Sequence, residues 1–218
     1  MKIKYFGHAA FELTFESGMK IILDPYQSGS FGGALACGPI KGAFDAAVVS
    51  HDHEDHACKA VLSRSKHVVK TVGRHQIAGV VVESVAAFHD ETKGTERGRN
   101  LVSVIEADGL RIAHLGDLGH TVTAKEYPLL EHVDVMMIPV GGHFTIDANA
   151  AAQVVKSFAP KIVIPMHYKT EKVDFPITPV ENFTKLMDTV EQVGSSEIVV
   201  TKQSLPAKLT VVVLEAAN

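Results

Sequence analysis

The chain has no tryptophan, only four tyrosines and only two cysteines among its 218 residues. Cys37 and Cys58 are too few for a disulfide framework, and their spacing is not that of a zinc knuckle. No segment approaches the roughly 20 apolar residues that a bilayer span requires. The first stretch, MKIKYFGHAAFELTF, is interrupted by His8 and Glu12, so it lacks the unbroken apolar run of a secretion signal. Positive charge is not in excess either. A formal charge of −4 and a pI near 6.3 argue against a broad electrostatic footprint for nucleic acid or anionic lipid. These absences set the expectation of a soluble, cytoplasmic protein. Its partner is then a small molecule, not a nucleic acid or a membrane, and homo-oligomerisation is left open.

Histidine is what the chain has in abundance, 12 in all. At 218 residues it can bury a large core, and no linker or low-complexity tract divides it, so one domain over residues 1–218 is expected. KIKYF, AAFELTF and MKIILDP alternate as strands, and AFDAAVVS is a short apolar strand. ACKAVLSRS reads as a short helix, and HVVKTV and VVVESVAAF as strands. NLVSVIEADGLRIAHLGD reads as a hairpin with its turn at Asp108-Gly109. DVMMIPVGG and KIVIPMHY read as further strands. DANAAAQVVKSFA reads as a helix capped by Asp147 and ended by Pro160. TPVENFTKLMDTV reads as a helix opened by a capping box of Thr178, Pro179 and Glu181. SEIVV and KLTVVVL close the chain as strands. The glycine-rich stretch 28–42 reads as a mobile flap over a cleft. It is no phosphate cradle, since no Gly-Lys-Ser/Thr follows it. Strands interleaved with helices indicate an α/β fold of two packed sheets with helices outside.

Four apolar strands run into candidate ligands: His51, His89, Asp117 and His167. Loops at strand ends deliver side chains to a shared cleft. His51 and His53 are two residues apart, so an extended backbone aims both imidazoles the same way. Asp55 and His56 follow where the chain turns. Imidazole with carboxylate suits zinc and its transition-series neighbours. The count of ligands points to two divalent ions, one held by His51, His53 and His89 and the other by Asp55, His56 and His167. Asp117 would bridge them. A hydroxide between such ions, positioned by Asp55 and Asp117, is a nucleophile at neutral pH, because metal binding lowers the pKa of water from 15.7 toward about 7.

The run His51-x-His53-x-Asp55-His56 resembles the metal signature of the metallo-β-lactamase superfamily, and Asp24, His89, Asp117 and His167 match its other four motifs in order. The resemblance implies a four-layer αββα sandwich over nearly the whole chain. It also implies that Asp24 is an orienting carboxylate behind the ligands, not a ligand itself, with His8 in a comparable place beneath the site. GHAAFEL, HDETKGTERGRN and PVGGHFTID resemble the compact metal-dependent hydrolases of this superfamily, a branch related to the ascorbate-phosphate lactonases. Lactamases of this fold carry Cys where Asp117 stands, so antibiotic hydrolysis is not expected. The flavodiiron oxidoreductases carry Glu where His53 stands, and the tRNA-processing nucleases carry an exosite insertion that this sequence lacks.

The expected activity is therefore metal-dependent hydrolysis of a small ester, lactone, amide or phosphoester. Zinc is the first choice of metal, with manganese, nickel and iron open. An iron-dependent redox enzyme resembling the persulfide dioxygenases, or a nuclease, are the alternatives. His120 and His143 are candidates to line the cleft, His143 as a proton donor. Lys93, Arg97, Arg99 and Asn100 are candidates to meet a phosphate or carboxylate on the substrate. Cys58 is expected to be packed, and His67, His75, His114 and His132 to be structural.

Overall fold

A computed structural model describes residues 1–217. The first third of the chain runs β1 (Lys2–Gly7), β2 (Ala10–Thr14), β3 (Lys20–Leu23), β4 (Phe44–Val48), α1 (Lys59–Leu62) and β5 (Ser65–Val69). β6 (Gly73–Ile77), β7 (Val80–Phe88), β8 (Arg99–Ala107), β9 (Leu110–His114) and β10 (Val135–Pro139) follow. The last part holds α2 (Ala148–Phe158), β11 (Ile162–Met166), α3 (Glu181–Thr184), β12 (Val190–Gln192), β13 (Glu197–Val199) and β14 (Thr210–Val213). These strands form a six-stranded sheet, ordered β13-β1-β2-β3-β4-β5, and an eight-stranded sheet, ordered β12-β14-β11-β10-β9-β8-β7-β6.

Period-two alternation sorts the side chains between layers. Ile3, Leu13, Ile21 and Leu23 of the first sheet pack against Ile105, Ile112, Val135, Met137 and Ile164 of the second. The odd-even partners on β10 and β11, Met136, Ile138 and Val163, face the other way onto Val154, Val155 and Phe158 of α2. Both faces of the central parallel strands are thus covered, which explains why VMMIP and IVIPM are apolar throughout. On the far side of the six-stranded sheet, Phe6, Ile22 and Phe44 pack under Leu35, Cys37, Ile40 and Phe175. Among the described residues no helix is long and apolar enough to cross a membrane.

The expected strands of the hairpin and its turn are present, with Asp108 and Gly109 both at positive φ (54° and 72°). Asp147 caps α2 by accepting from the Ala150 amide at 2.8 Å. The outer helical layers are thinner than expected. ACKAVLSRS yields only the single turn α1, and TPVENFTKLMDTV only the single turn α3. Thr178 does not cap a helix. Its amide and hydroxyl both donate to the Gly141 carbonyl, at 2.8 and 3.1 Å, which ties this segment to the end of β10. HVVKTV is a strand only in its first half: β5 ends at Val69, and β6, which begins just beyond it at Gly73, belongs to the other sheet. The glycine-rich stretch is pinned, not free. Ala36 N donates to Lys172 O at 2.8 Å, Asp174 N donates to Ala34 O at 2.7 Å, and Leu35, Cys37 and Ile40 are core residues. Only Phe31 of this stretch reaches the cavity described below.

Candidate metal centre

Several strands of the two sheets end at one rim and deliver side chains to one cluster. The turn between β1 and β2 carries His8, the residue after β3 is Asp24, and the loop after β4 carries His51, His53, Asp55 and His56. The eight-stranded sheet adds His89 after β7, Asp117 after β9 and His167 after β11. His8, Asp24 and His167 have left-handed backbones (φ 56°, 41° and 53°), a conformation that costs a non-glycine residue energy and that collects at functional sites.

Asp117 Oδ2 is the hub. It lies 3.0 Å from His89 Nε2, 3.2 Å from His56 Nε2, 3.3 Å from His167 Nε2 and 3.9 Å from His51 Nε2. The ligand atoms fall into overlapping groups: His51, His53 and His89; His51, His56 and Asp117; and His8, Asp55, His56 and His167. Within the first, His51 Nε2 and His53 Nδ1 are 2.9 Å apart. His53 is exposed while the rest of the cluster is largely buried, so the centre opens to solvent on the His53 side.

The imidazoles are aimed from behind. His56 Nδ1 contacts Asp24 Oδ2 at 2.9 Å, and Asp24 also accepts from the Ser50 amide at 2.7 Å and hydroxyl at 2.6 Å. The Ser50 hydroxyl lies 2.9 Å from His51 Nδ1. His89 Nδ1 lies 3.0 Å from the Phe144 carbonyl, to which it donates. Each outer contact fixes a ring and leaves Nε2 facing inward, the arrangement that metal-binding histidines need. Asp24 thus lies behind the ligand loop, against Ser50 and His56.

Charge in the cluster is polarised. Burial would raise the Asp117 and Asp55 carboxyls, yet the surrounding histidines hold both below the ordinary carboxylate range, so both are ionised. Burial, and then the neighbouring His56, push the His51 imidazole down to about 3. Burial, and then His167, push His8 down to about 4. Burial also opposes charge on His56 and His89, but there the Asp117 carboxylate outweighs it and raises both.

A cation fits these groups. Asp55 Oδ1, Asp117 Oδ1 and His56 Nε2 are buried without a hydrogen-bond partner among the described residues. Leaving such an atom unsatisfied costs about 1–3 kcal/mol. The Oδ2 atoms of Asp117 and Asp55 lie 3.2 and 3.6 Å from His56 Nε2, so carboxylate and imidazole lone pairs converge as a metal ion requires.

Beside the cluster lies a cavity of about 320 Å³, lined by His53, Asp55, His89, Asp117 and His167 together with Phe31, Glu96, Arg97, Phe144 and Phe175. Of the residues expected to meet substrate, Arg97 alone is in this lining. Lys93 is exposed at a loop tip with φ 59°. Arg99 lines a different depression, with Asp52 and Lys70. Asn100 is fully buried; its amide donates to Leu115 O at 2.8 Å and its Oδ1 accepts from the Asp117 amide at 3.0 Å, so it positions Asp117 from behind. His120 packs between the Phe88 and Tyr127 rings, away from the cavity. His143 is exposed in an adjoining depression, with its ring edge-on to Phe144, and does not reach the cluster cavity. Cys58 is packed, His114 is buried with Nε2 donating to Ala9 O at 2.9 Å, His75 is half-buried, and His67 and His132 are exposed.

Several residues carry no signal that sequence reasoning used. Asp90 accepts five hydrogen bonds: Oδ1 from the Thr92 amide and hydroxyl and the Gly94 amide, Oδ2 from the Glu96 and Arg97 amides, at 2.7–3.1 Å. It shapes the loop that carries Arg97, and the Asp-x-Thr spacing after His89 was the available sign. Ser50 is found only by its contacts. Gly116 and Gly119 are required by close approach. A Cβ on Gly119 would sit 2.2 Å from the His89 carbonyl carbon, and one on Gly116 would sit 2.3 Å from Asn100 Oδ1.

Two sheets whose strand ends converge on a shared cage of histidine and aspartate define a metal-binding scaffold. Residues 2–167 match the model of the beta-lactamase superfamily domain, and the chain belongs to that family. The chain is 31% identical over 198 residues to a UPF0173 metal-dependent hydrolase of Thermococcus onnurineus, covering 78% of this chain and 85% of that one. It is 32% identical over 197 residues to another from Thermococcus kodakarensis, with the same coverage. A crystal structure from Thermotoga maritima, described as a Zn-dependent hydrolase of the metallo-beta-lactamase superfamily, superposes with a TM-score of 0.78 at 32% identity, over 98% of this chain and 99% of that one. The protein is a metal-dependent hydrolase of the metallo-β-lactamase superfamily, with the two-sheet α/β fold of that group. The narrower link to the ascorbate-phosphate lactonases rests on the sequence resemblance alone.

Proposed function

We propose that this hydrolase acts on a small ester, lactone, amide or phosphoester with two divalent ions, zinc by preference. His51, His53 and His89 would hold one ion, Asp55, His56 and His167 the other, and Asp117 would be shared. The observation that carries this reading is the placement of Asp117 Oδ2 within 3.0–3.9 Å of four imidazole nitrogens drawn from both sheets. Bound ions of this kind supply acidified water, with a pKa near 7, and polarise the scissile bond.

Asp24, Ser50 and the Phe144 carbonyl orient His56, His51 and His89. Asp55 and Asp117 supply ionised oxygens to the focus. The cavity, near the lower end of the range for small-molecule sites, admits a compact substrate. Ligands from both sheets support reading residues 1–218 as one domain. Cys37 and Cys58, both free and buried, suit a reducing cytoplasmic setting.

Elemental analysis of protein purified without added metal or chelator tests this reading. About two zinc or manganese ions per chain are expected. A single ion, or one iron per chain, overturns the two-ion assignment.

A further inference from the structure

We infer that the substrate is a small amphipathic anion, with an apolar body against an aromatic wall and a carboxylate or phosphate held by Arg97. This rests on the hydrolase reading above and adds to it the class of molecule that enters the cavity.

Three rings form a continuous wall. Phe175 stands edge-on to Phe31 at 5.5 Å between centroids and edge-on to Phe144 at 6.0 Å, and it also touches the His8 ring at 5.6 Å. Phe31 is 52% exposed and has a left-handed backbone at φ 53°. A large apolar ring kept in water by a strained backbone gains from an apolar occupant that covers it. The cavity that Phe31 lines is the one that the cluster also lines, so that occupant lies beside the reacting centre.

The wall ends at a cation. The Arg97 guanidinium sits over the Phe144 ring, 5.8 Å from its centroid. Its backbone amide donates to Asp90 at 2.8 Å, so the arginine is presented by an organised loop. Its protein counter-charge is weak: Glu96 is 3.5 Å away, on a side chain that is more than half exposed. Two divalent ions would outweigh the carboxylates of Asp55 and Asp117, and Arg97 would add to that excess. A guanidinium placed beside such a centre is stabilised by an anion on the ligand, to which it can donate in bidentate fashion. Phe144 joins the two functions, because its carbonyl fixes His89 and its ring supports Arg97.

Calorimetric titration of the metal-loaded protein with three matched probes tests this. The probes are 3-phenylpropionate, 2-phenylethylphosphonate and neutral 3-phenylpropanol, and the proteins are the wild type and R97Q. At least one anion is expected to bind wild type about tenfold more tightly than the alcohol, and R97Q is expected to lose that preference while keeping its metal content. The stronger anion identifies carboxylate or phosphate as the group recognised. Equal binding of all three, no binding of any, or an anion preference that survives in R97Q overturns the assignment; in the last case the metal ions hold the anion. Failure of the hydrolase reading itself would register instead in the metal content of the wild type.

Discussion

His8 Nε2 lies 3.0 Å from Asp55 Oδ2, and both side chains are buried. The same oxygen lies 3.6 Å from His56 Nε2 in the cluster, while Oδ1 is buried without a hydrogen-bond partner among the described residues. The His8 carbonyl meanwhile accepts from the His167 amide at 2.8 Å and from the Tyr5 hydroxyl at 3.0 Å. One residue therefore positions two members of the same metal-ligand group.

Removing that support has a defined consequence. His8→Ala is expected to weaken metal retention in the Asp55, His56 and His167 group by about 10–100-fold, the usual effect of losing an outer partner of a ligand. Metal content after dialysis against a graded chelator series measures it. Unchanged retention would assign His8 to the core alone.

Asp117→Ala deletes the oxygen that four imidazoles share. Turnover of any substrate found should fall by three orders of magnitude or more, on the order expected when a metal centre loses its common ligand, while circular dichroism stays that of the wild type. Wild-type rates in this variant would refute the role given to Asp117.

Asp90→Asn keeps the shape of the side chain and removes the charge that five donors share. Hydrogen exchange across residues 91–97 should speed up, with metal content unchanged and KM raised more than kcat is lowered. An equal loss of metal would mean that Asp90 acts through His89 and not through the Arg97 loop.

Gly119→Ala puts a methyl group into the His89 backbone. Overpacking of this kind costs roughly 1–3 kcal/mol, and here the strain falls on a ligand. A lowered melting temperature together with reduced metal content is expected. Loss of stability with full metal content would show that the strand end relaxes elsewhere.

Acid should act more strongly on the metal-loaded protein than on the metal-free one. His51 and His8 stay neutral down to about 3 and 4 when folded, while the unfolded chain takes up protons near 6.5. Between those values the unfolded state binds more protons, so stability falls as pH falls. In the metal-free protein His56 and His89 work the other way, since their raised values favour the folded state at low pH and lose that effect as pH rises. Metal binding requires both of them neutral and cancels that compensation. Melting temperatures from pH 7.5 to 5 should therefore drop more steeply with metal than without it.

The cluster was legible because its chemistry sits at the ends of apolar strands. VVS before His51, IVIPM before His167 and the hairpin before Asp117 each announce a rigid strand that stops at a ligand. Asn100 was misread for the same kind of reason. It follows a basic loop in sequence, but β8 carries it inside, where it serves the Asp117 backbone. Thr178 and Glu181 spell a capping box, yet the pull of Gly141 on Thr178 overrides that local signal. The aromatic wall was beyond reach from the sequence, since Phe31, Phe144 and Phe175 come from three distant loops without a shared pattern. β12 was missed because a short, exposed edge strand has no alternation to reveal it.

The two sheets meet at the centre with unequal shares, which sets a timetable for synthesis. A nascent chain that has reached β5 already carries His51, His53, Asp55 and His56, with His8, Asp24 and Ser50 that orient them, but not His89, Asp117 or His167. His89 and Asp117 come next, and His167 arrives after three quarters of the chain has been made. On the ligand assignment proposed here, the ribosome releases most of the protein before the second ion has a complete seat. The first ion's three histidines are all in place by β8, whereas the second seat waits for β11, and β12, β13 and β14, which complete both sheets, are made only after it.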